Sequence, residues 1–377
     1  MITIYFDNAA TSPLSKEVKE RMIQAMEVYG NPSSSHHVGK SALDIIEHAR
    51  KSVANLINAT PDRIFFTSGG TESNNWAIYG SAIAVRKSNI ITSPIEHHAI
   101  IRGIENFGKS ISISPFFIPV DSLGVVDQDI LKSKINKGTA LVSIMMANNE
   151  VGTVQDIKTL AQIAHDKGVL FHTDAVQAVG KINVNVEDLD IDMLSISAHK
   201  FHGPKGVGAL YIKKGIEIHS LIAGGRQEQD RRAGTQNVIS IVGMGRAAEC
   251  VEIEKNKIYI NDLISKLKQG IKEKIPNVKF NGHPIDTVPG ILNVYFEGIE
   301  SKRLVFELNK IGICVSSGSA CSEGGTESSH VLSAMGIPAH EAHSCIRFSL
   351  SKFNKKEEID RLLEILPSII KQLRHGL

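Results

Sequence analysis

The stretch Asp192-Met193-Leu194-Ser195-Ile196-Ser197-Ala198-His199-Lys200 carries a short apolar run that ends on a lysine, with glycine following at 203, 206 and 208. The run predicts a buried strand over Asp192–Ser197, and the residues after it predict a turn at the mouth of a cleft. A lysine that is to form an imine must be desolvated and rigidly held, and a strand end facing a cleft meets both needs. The glycines let backbone approach a ligand closely. Alone, the pattern decides little, because most lysines after strands are solvated caps.

Working outward, similar apolar runs recur with helix-patterned segments between them. Strands are predicted at Ile64–Thr67, Asn89–Ser93, Leu141–Met146, Val169–Thr173 and Gly208–Ile212, and an extended stretch at Ile111–Pro119. Helices are predicted at Thr71–Lys87, His98–Phe107 and Asp156–Lys167. Continuous apolar strands alternating with helices predict an α/β fold, a mostly parallel sheet covered by helices on both faces. A charge-dense helix from Met244 to Ile275 leads into a second region. There, strands at Gly290–Phe296 and Cys345–Leu350 mix with helices at Ser301–Ile311 and Lys355–Leu373, predicting a smaller α+β domain. The expected division is a large domain over 13–250 and a small one formed by 1–12 with 251–377, which carries a loop at 316–330.

Ligands of open α/β sheets bind outside the carboxyl ends of the strands. Three groups fall there besides Lys200. Asp174 follows Val169–Thr173, with Gln177 three residues on; an aspartate there can pair with a protonated pyridine nitrogen, or can cap the next helix. Thr67-Ser68-Gly69-Gly70-Thr71-Glu72-Ser73-Asn74 is a strand, a glycine turn and a helix start, where free N–H groups favour an anion such as phosphate. It is neither a Walker loop nor GxGxxG. His97, in Glu96-His97-His98, offers a flat ring that can stack on an aromatic cofactor or be simply structural.

The 42 basic and 40 acidic residues leave a net charge of +2, so no broad basic field for nucleic-acid binding is expected. No stretch reaches the roughly 18 apolar residues of a membrane span, and no signal peptide is read at Met1–Ala10. The four cysteines, Cys250, Cys314, Cys321 and Cys345, show neither a CxxC pair nor zinc spacing, and a reducing cytoplasm is the expected setting. His36, His37, His340 and His343 form no metal-ligand pattern, so no metal is expected.

Further motifs stand in series with these. They are Asp7-Asn8-Ala9-Ala10-Thr11, Gly30-Asn31-Pro32-Ser33-Ser34, Asn148-Asn149-Glu150-Val151-Gly152, Arg231-Arg232-Ala233-Gly234-Thr235, Ser316-Ser317-Gly318-Ser319-Ala320-Cys321 and Ile346-Arg347-Phe348-Ser349-Leu350. With them the chain resembles the cysteine desulfurases of the NifS/IscS type, in the class V branch of fold-type-I enzymes that use pyridoxal 5′-phosphate. The resemblance spans nearly the whole chain, and its specificity comes from motifs weak singly but ordered together.

The resemblance implies that Lys200 holds the cofactor as a Schiff base, Asp174 pairs with its ring nitrogen and Gln177 with its phenolic oxygen. It implies that His97 stacks on the ring. Gly70, Thr71, Ser197 and His199 would bind the phosphate, joined by Thr235 from a partner subunit in a homodimer. Asn149 would hold the ring oxygen or the substrate, and Arg347, helped by Asn31, the substrate carboxylate. Cys321 would take sulfur from L-cysteine as a persulfide, leaving alanine, and pass it to an acceptor protein docking near its loop. Iron–sulfur assembly, tRNA thiolation and DNA phosphorothioation all draw on such enzymes; neither direct nucleic-acid nor membrane binding is expected.

The loop at Ser316–His330 is rich in Ser, Gly, Thr and Glu, which suits a surface loop bearing a reactive thiol. The other three cysteines read as packing residues, Cys250 inside a helix. Several positions depart from the family pattern: the acidic, glycine-rich Ser322–Glu327, Gln229-Asp230 before Arg231, Ser351 after Leu350, and no tail beyond Leu377. They bear on the acceptor more than on the chemistry. Selenocysteine lyase or aminotransferase activity on the same fold is the first alternative, though aminotransfer needs no thiol. A catalytically silent sulfur-relay protein is the second, against which the combined Lys200, Asp174, His97, Cys321 and Arg347 set argues.

Overall fold

The computed structural model describes residues 3–318 and 328–375. The chain opens with a two-residue strand, β1 (Ile4–Tyr5), which does not join the main sheet. That sheet has seven strands: β2 (Ile64–Thr67), β3 (Asn89–Thr92), β4 (Ser114–Phe117), β5 (Thr139–Ser143), β6 (Leu170–Asp174), β7 (Met193–Ser197) and β8 (Gly208–Ile212). Their spatial order is β2-β8-β7-β6-β5-β3-β4. Only β8 runs against its neighbours in this sheet; the other pairings are parallel.

Every position of β2, β5, β7 and β8 is buried. Side chains of a strand alternate between its two faces, so continuous burial means that both faces are covered. Phe65, Ile90, Leu141 and Met193 enter one apolar cluster with Trp76 and Ile100. Their chain neighbours Phe66, Ile91, Val142 and Leu194 enter another with Ile46, Val53 and Met244. The first core lies under helices Gly70–Val85 and His98–Ile111, the second under His37–Leu56 and Val238–Glu249.

A second, antiparallel sheet has the order β12-β10-β9, from β9 (Val278–Asn281), β10 (Ile291–Phe296) and β12 (Cys345–Ser349). Helices Ile253–Lys274, Ser301–Lys310 and Lys356–Arg374 close a separate core over it, around Leu267, Val294, Leu304, Phe348 and Leu366. The amino terminus belongs to this region: β1 pairs in parallel with β11 (Ile313–Cys314), Phe6 enters its core, and Asp7 bridges Ser349.

Two expectations need correction. The helix expected over Met244–Ile275 is two helices, Val238–Glu249 and Ile253–Lys274. Met244, Ala247 and Ala248 pack under the large sheet while Leu263, Leu267 and Ile271 pack under the small one, so the helix must break between the two cores. Cys250 is therefore the cap that closes the first helix, not a residue inside one. The stretch expected to be extended from Ile111 begins later, because the preceding helix runs to Ile111 and Ser112 caps it at φ 56°.

Candidate active site

A cavity of about 270 Å³ opens at the carboxyl ends of the parallel strands, where Gly70, Thr71, His97, Asp174, Ser197 and Lys200 meet. Asn149, Gln177, His199 and Arg347 complete this expected set in its wall, beside Ala9, Ala10, Asn74 and Met145. Ten residues scattered from 70 to 347 thus converge, most from turns that the strand order places side by side and Arg347 from the second sheet.

At the end of β7 a single 3₁₀ turn, Ala198–Lys200, swings the lysine into the cavity. Its Nζ donates to the carbonyls of Ala9 and Ala10 at 2.6 and 2.7 Å. Asp174 is the last residue of β6. Its Oδ2 accepts from Asn74 Nδ2 at 2.6 Å and its Oδ1 from the N–H of Val176 at 2.9 Å, so it closes a turn and caps no regular helix. Gln177 donates from Nε2 to Ala9 O at 2.9 Å.

The glycine turn leads into helix Gly70–Val85, whose cap is Gly69 and not a threonine. Glycine has no side chain to satisfy the first-turn N–H groups, which leaves an anion-ready helix start. A Cβ at Gly70 would meet Val176 Cγ2 at 2.7 Å, so a larger residue here would have to push that side chain aside. His97 caps the helix His98–Ile111, its Nδ1 accepting from the N–H of Ala99 at 3.1 Å. That bond fixes the ring against the cavity wall and, in the neutral ring, leaves the proton on Nε2.

Arg347, on the central β12 position paired with Asn293, is 1% exposed. Its Nη2 bonds Asp7 Oδ1 at 2.7 Å, its Nη1 bonds Asn149 O at 2.9 Å, and its buried Nε has no hydrogen-bond partner among the described residues. A buried guanidinium with an unused donor suits a carboxylate-bearing ligand.

Burial disfavours the charged form of both imidazoles. Burial pushes His199 down to about 4, with Lys200, Lys205 and Lys181 adding. Burial also lowers His97; Asp174 opposes the shift, while Lys200 and His330 reinforce it. Behind His97, burial pushes the Glu96 carboxyl up to about 8 against the hydrogen bonds from Ser93 and Met145.

Asn31 and Thr235 are exposed and do not line this cavity of their own chain. Cys321 lies outside the described residues, as does most of its loop. The stem before it is placed: Ser316 and Arg347 form a backbone bridge. Several positioning groups escaped the sequence reading. Asp7 and the Ala9 and Ala10 carbonyls stood in a quoted motif without a role, and Asn74 stands one helical turn after Gly70, a spacing that puts both on one face.

The cavity fits pyridoxal phosphate group by group: a helix start with free N–H groups for the phosphate, a carboxylate for the ring nitrogen, and an amine for the aldehyde. Asn74 Oδ1, buried beside Asp174 and without a partner among the described residues, adds polar capacity to the same wall.

Comparison with known proteins agrees. The aminotransferase class-V family profile matches residues 4–362. The chain is 47% identical to cysteine desulfurase IscS of Methanosarcina thermophila, over 99% of this chain and 93% of the relative. It is 45% identical to a cysteine desulfurase of Sinorhizobium fredii, over 100% of this chain and 98% of that one. Among solved structures, a NifS-like protein superposes with a TM-score of 0.92 at 41% identity, covering 99% of this chain and 100% of that one. SspA in complex with cysteine superposes at 0.84 and 34% identity, covering 94% and 100%. The chain belongs to the class-V aminotransferase family and, within it, to the pyridoxal-phosphate-dependent cysteine desulfurases of the IscS/NifS type.

Proposed function

We propose that this desulfurase acts on L-cysteine, releases L-alanine and carries the sulfur as a persulfide on Cys321. The observation that carries this reading is the sharing of one cavity by the Lys200 amine, the Asp174 carboxylate and the Arg347 guanidinium. Pyridoxal phosphate, when bound, supplies an imine-forming aldehyde and an electron sink that weakens the substrate's C–S bond.

The chain's own groups do the rest. Arg347, through its unused donor, takes the substrate carboxylate, with Asn149 and Asn31 beside it. Lys200 would hold the cofactor as a Schiff base, and its amine is placed to move protons at the substrate carbons. Asp174 would pair with the ring nitrogen and keep it protonated, Gln177 would donate to the phenolic oxygen, and His97 would cover one ring face. Gly70, Thr71, Ser197 and His199 hold the phosphate, joined by Thr235 of a second copy in a homodimer. Cys321, as thiolate, attacks the substrate sulfur: the S–S bond forms as the Cβ–S bond breaks, its electron pair passing to the substrate carbon, which is then protonated.

The persulfide is then handed to an acceptor protein docking near Cys321, in iron–sulfur assembly, tRNA thiolation or DNA phosphorothioation, in the cytoplasm. The small domain, 1–12 with 251–377, carries the thiol and the large domain, 13–250, the cofactor.

The test is a pair of variants. Cys321→Ala is expected to stay yellow and lose alanine formation from cysteine; unchanged turnover removes the persulfide role. Lys200→Ala is expected to abolish turnover, and surviving catalysis refutes the Schiff-base assignment.

A further inference from the structure

We propose that Lys181 is a positioning residue that sets which end of the Gln177 carboxamide faces the cofactor. Lys181 lies one helical turn beyond Gln177 in sequence and does not line the main cavity; it lines a smaller one of about 40 Å³ on the far side of Lys200. Its Nζ donates to Gln177 Oε1 at 2.6 Å. Gln177 is 4% exposed, and its Nε2 donates to Ala9 O at 2.9 Å, the same carbonyl that receives Lys200 Nζ at 2.6 Å.

The two ends of a carboxamide have nearly the same shape, so packing alone does not choose between them. An ammonium does choose, because it has three donors and no acceptor. Oε1 must face Lys181, and Nε2 must then face Ala9 O and the cavity. The ring's phenolic oxygen, an acceptor, thereby meets a donor. With the amide reversed, it would meet a carbonyl oxygen, and Ala9 O would lose its N–H partner. Burial pushes Lys181 down to about 7, with Lys200 and Arg347 adding, so it is donor-only on the acid side of neutrality.

This inference rests on Gln177 facing the ring oxygen. The experiment is a double-mutant cycle on the dissociation constant for pyridoxal phosphate, measured at pH 6 by titrating full-length protein freed of cofactor. Lys181→Met is expected to weaken the cofactor about tenfold, the worth of one hydrogen bond to a charged group. In the Gln177→Ala background the same substitution is expected to change it less than twofold. Lys181→Gln keeps a polar group at the site and repeats the comparison should the methionine variant fold poorly. Equal losses in both backgrounds, or none in either, overturn the proposal. Gln177→Ala with parental affinity overturns the ring-oxygen assignment and this proposal with it; a Gln177→Ala loss that Lys181→Met fails to reproduce overturns this proposal alone.

Discussion

Arg347 and Ser316 exchange both of their backbone hydrogen bonds, Arg347 N–H to Ser316 O at 2.7 Å and Ser316 N–H to Arg347 O at 3.2 Å. The residue proposed to clamp the substrate carboxylate is thus tied to the strand end from which the chain runs to Cys321, five residues on. Extended chain advances at most about 3.6 Å per residue, so this bridge limits the reach of the thiol to roughly 18 Å. Substrate and nucleophile are referred to one rigid point.

Arg347→Lys should raise KM for cysteine far more than it lowers kcat. A lysine keeps the charge but loses the fork that serves Asp7, Asn149 O and the substrate together. The loss of about 1.5–3 kcal/mol predicts a decrease in kcat/KM of about tenfold to a hundredfold. Steady-state kinetics of alanine release checks this, and an unchanged KM removes the clamp role.

Gly70→Ala should weaken pyridoxal phosphate by more than about tenfold. The new methyl group would meet Val176 Cγ2 at 2.7 Å and Ser197 Cβ at 3.6 Å, which displaces the helix start from the anion site. Absorbance titration of the visible band reads the affinity; wild-type binding would show that the cradle has slack.

Glu96 should make the protein less stable as pH rises. Its folded value of about 8 lies above the ordinary 4.5, so between those values the folded state binds the extra proton. Stability then falls with rising pH, by up to about 1.4 kcal/mol per pH unit. Oε1 accepts from Ser93 Oγ at 2.6 Å and from the N–H of Met145 at 2.9 Å, and the buried Oε2 has no partner among the described residues. Glu96→Gln, which mimics the protonated form, should match the parent at pH 5 and exceed it at pH 9 in urea unfolding. Parallel pH profiles of the two proteins would contradict this.

Arg50→Met should destabilise the fold by about 3–5 kcal/mol. Arg50 grips the buried Glu228 with both nitrogens, at 2.6 and 2.9 Å, and Glu228 also accepts from the N–H of Phe66. Glu228, Gln229 and Asp230 all hold positive φ, at 46°, 56° and 64°, a strain of about 1–2 kcal/mol each that this anchor maintains. Gln229→Gly should therefore recover about 0.5–1 kcal/mol. The shift in urea midpoint measures both.

Much of the site was legible in local sequence because each part is a short-range device. Lys200, Asp174 and His97 each follow an apolar run closely, and the double glycine before Thr71 marks a helix start whatever the rest of the chain does. The break at Cys250 was not legible, since helix propensity continues through it and only the separation of the two cores interrupts it. Asp7 was quoted in a motif, yet nothing local says that it meets Arg347, 340 residues away. Lys181 likewise stands in no motif that the sequence reading used.

By itself the sequence determined the chain order of most strands of the main sheet, the α/β class and the family, though not the helices Lys16–Ala25 and His37–Leu56. These follow from hydrophobic periodicity, turn chemistry and motif order, all of which act over a few residues. Only the tertiary structure decided which strand ends are neighbours, that β8 alone runs antiparallel in its sheet, and that Asp7, Asn74, Lys181 and the Ala9 carbonyl hydrogen-bond Arg347, Asp174, Gln177 and Lys200. The contacts of Asp7, Asn74 and Ala9 join residues 100 to 340 positions apart, and such chain-distant packing leaves no local signature.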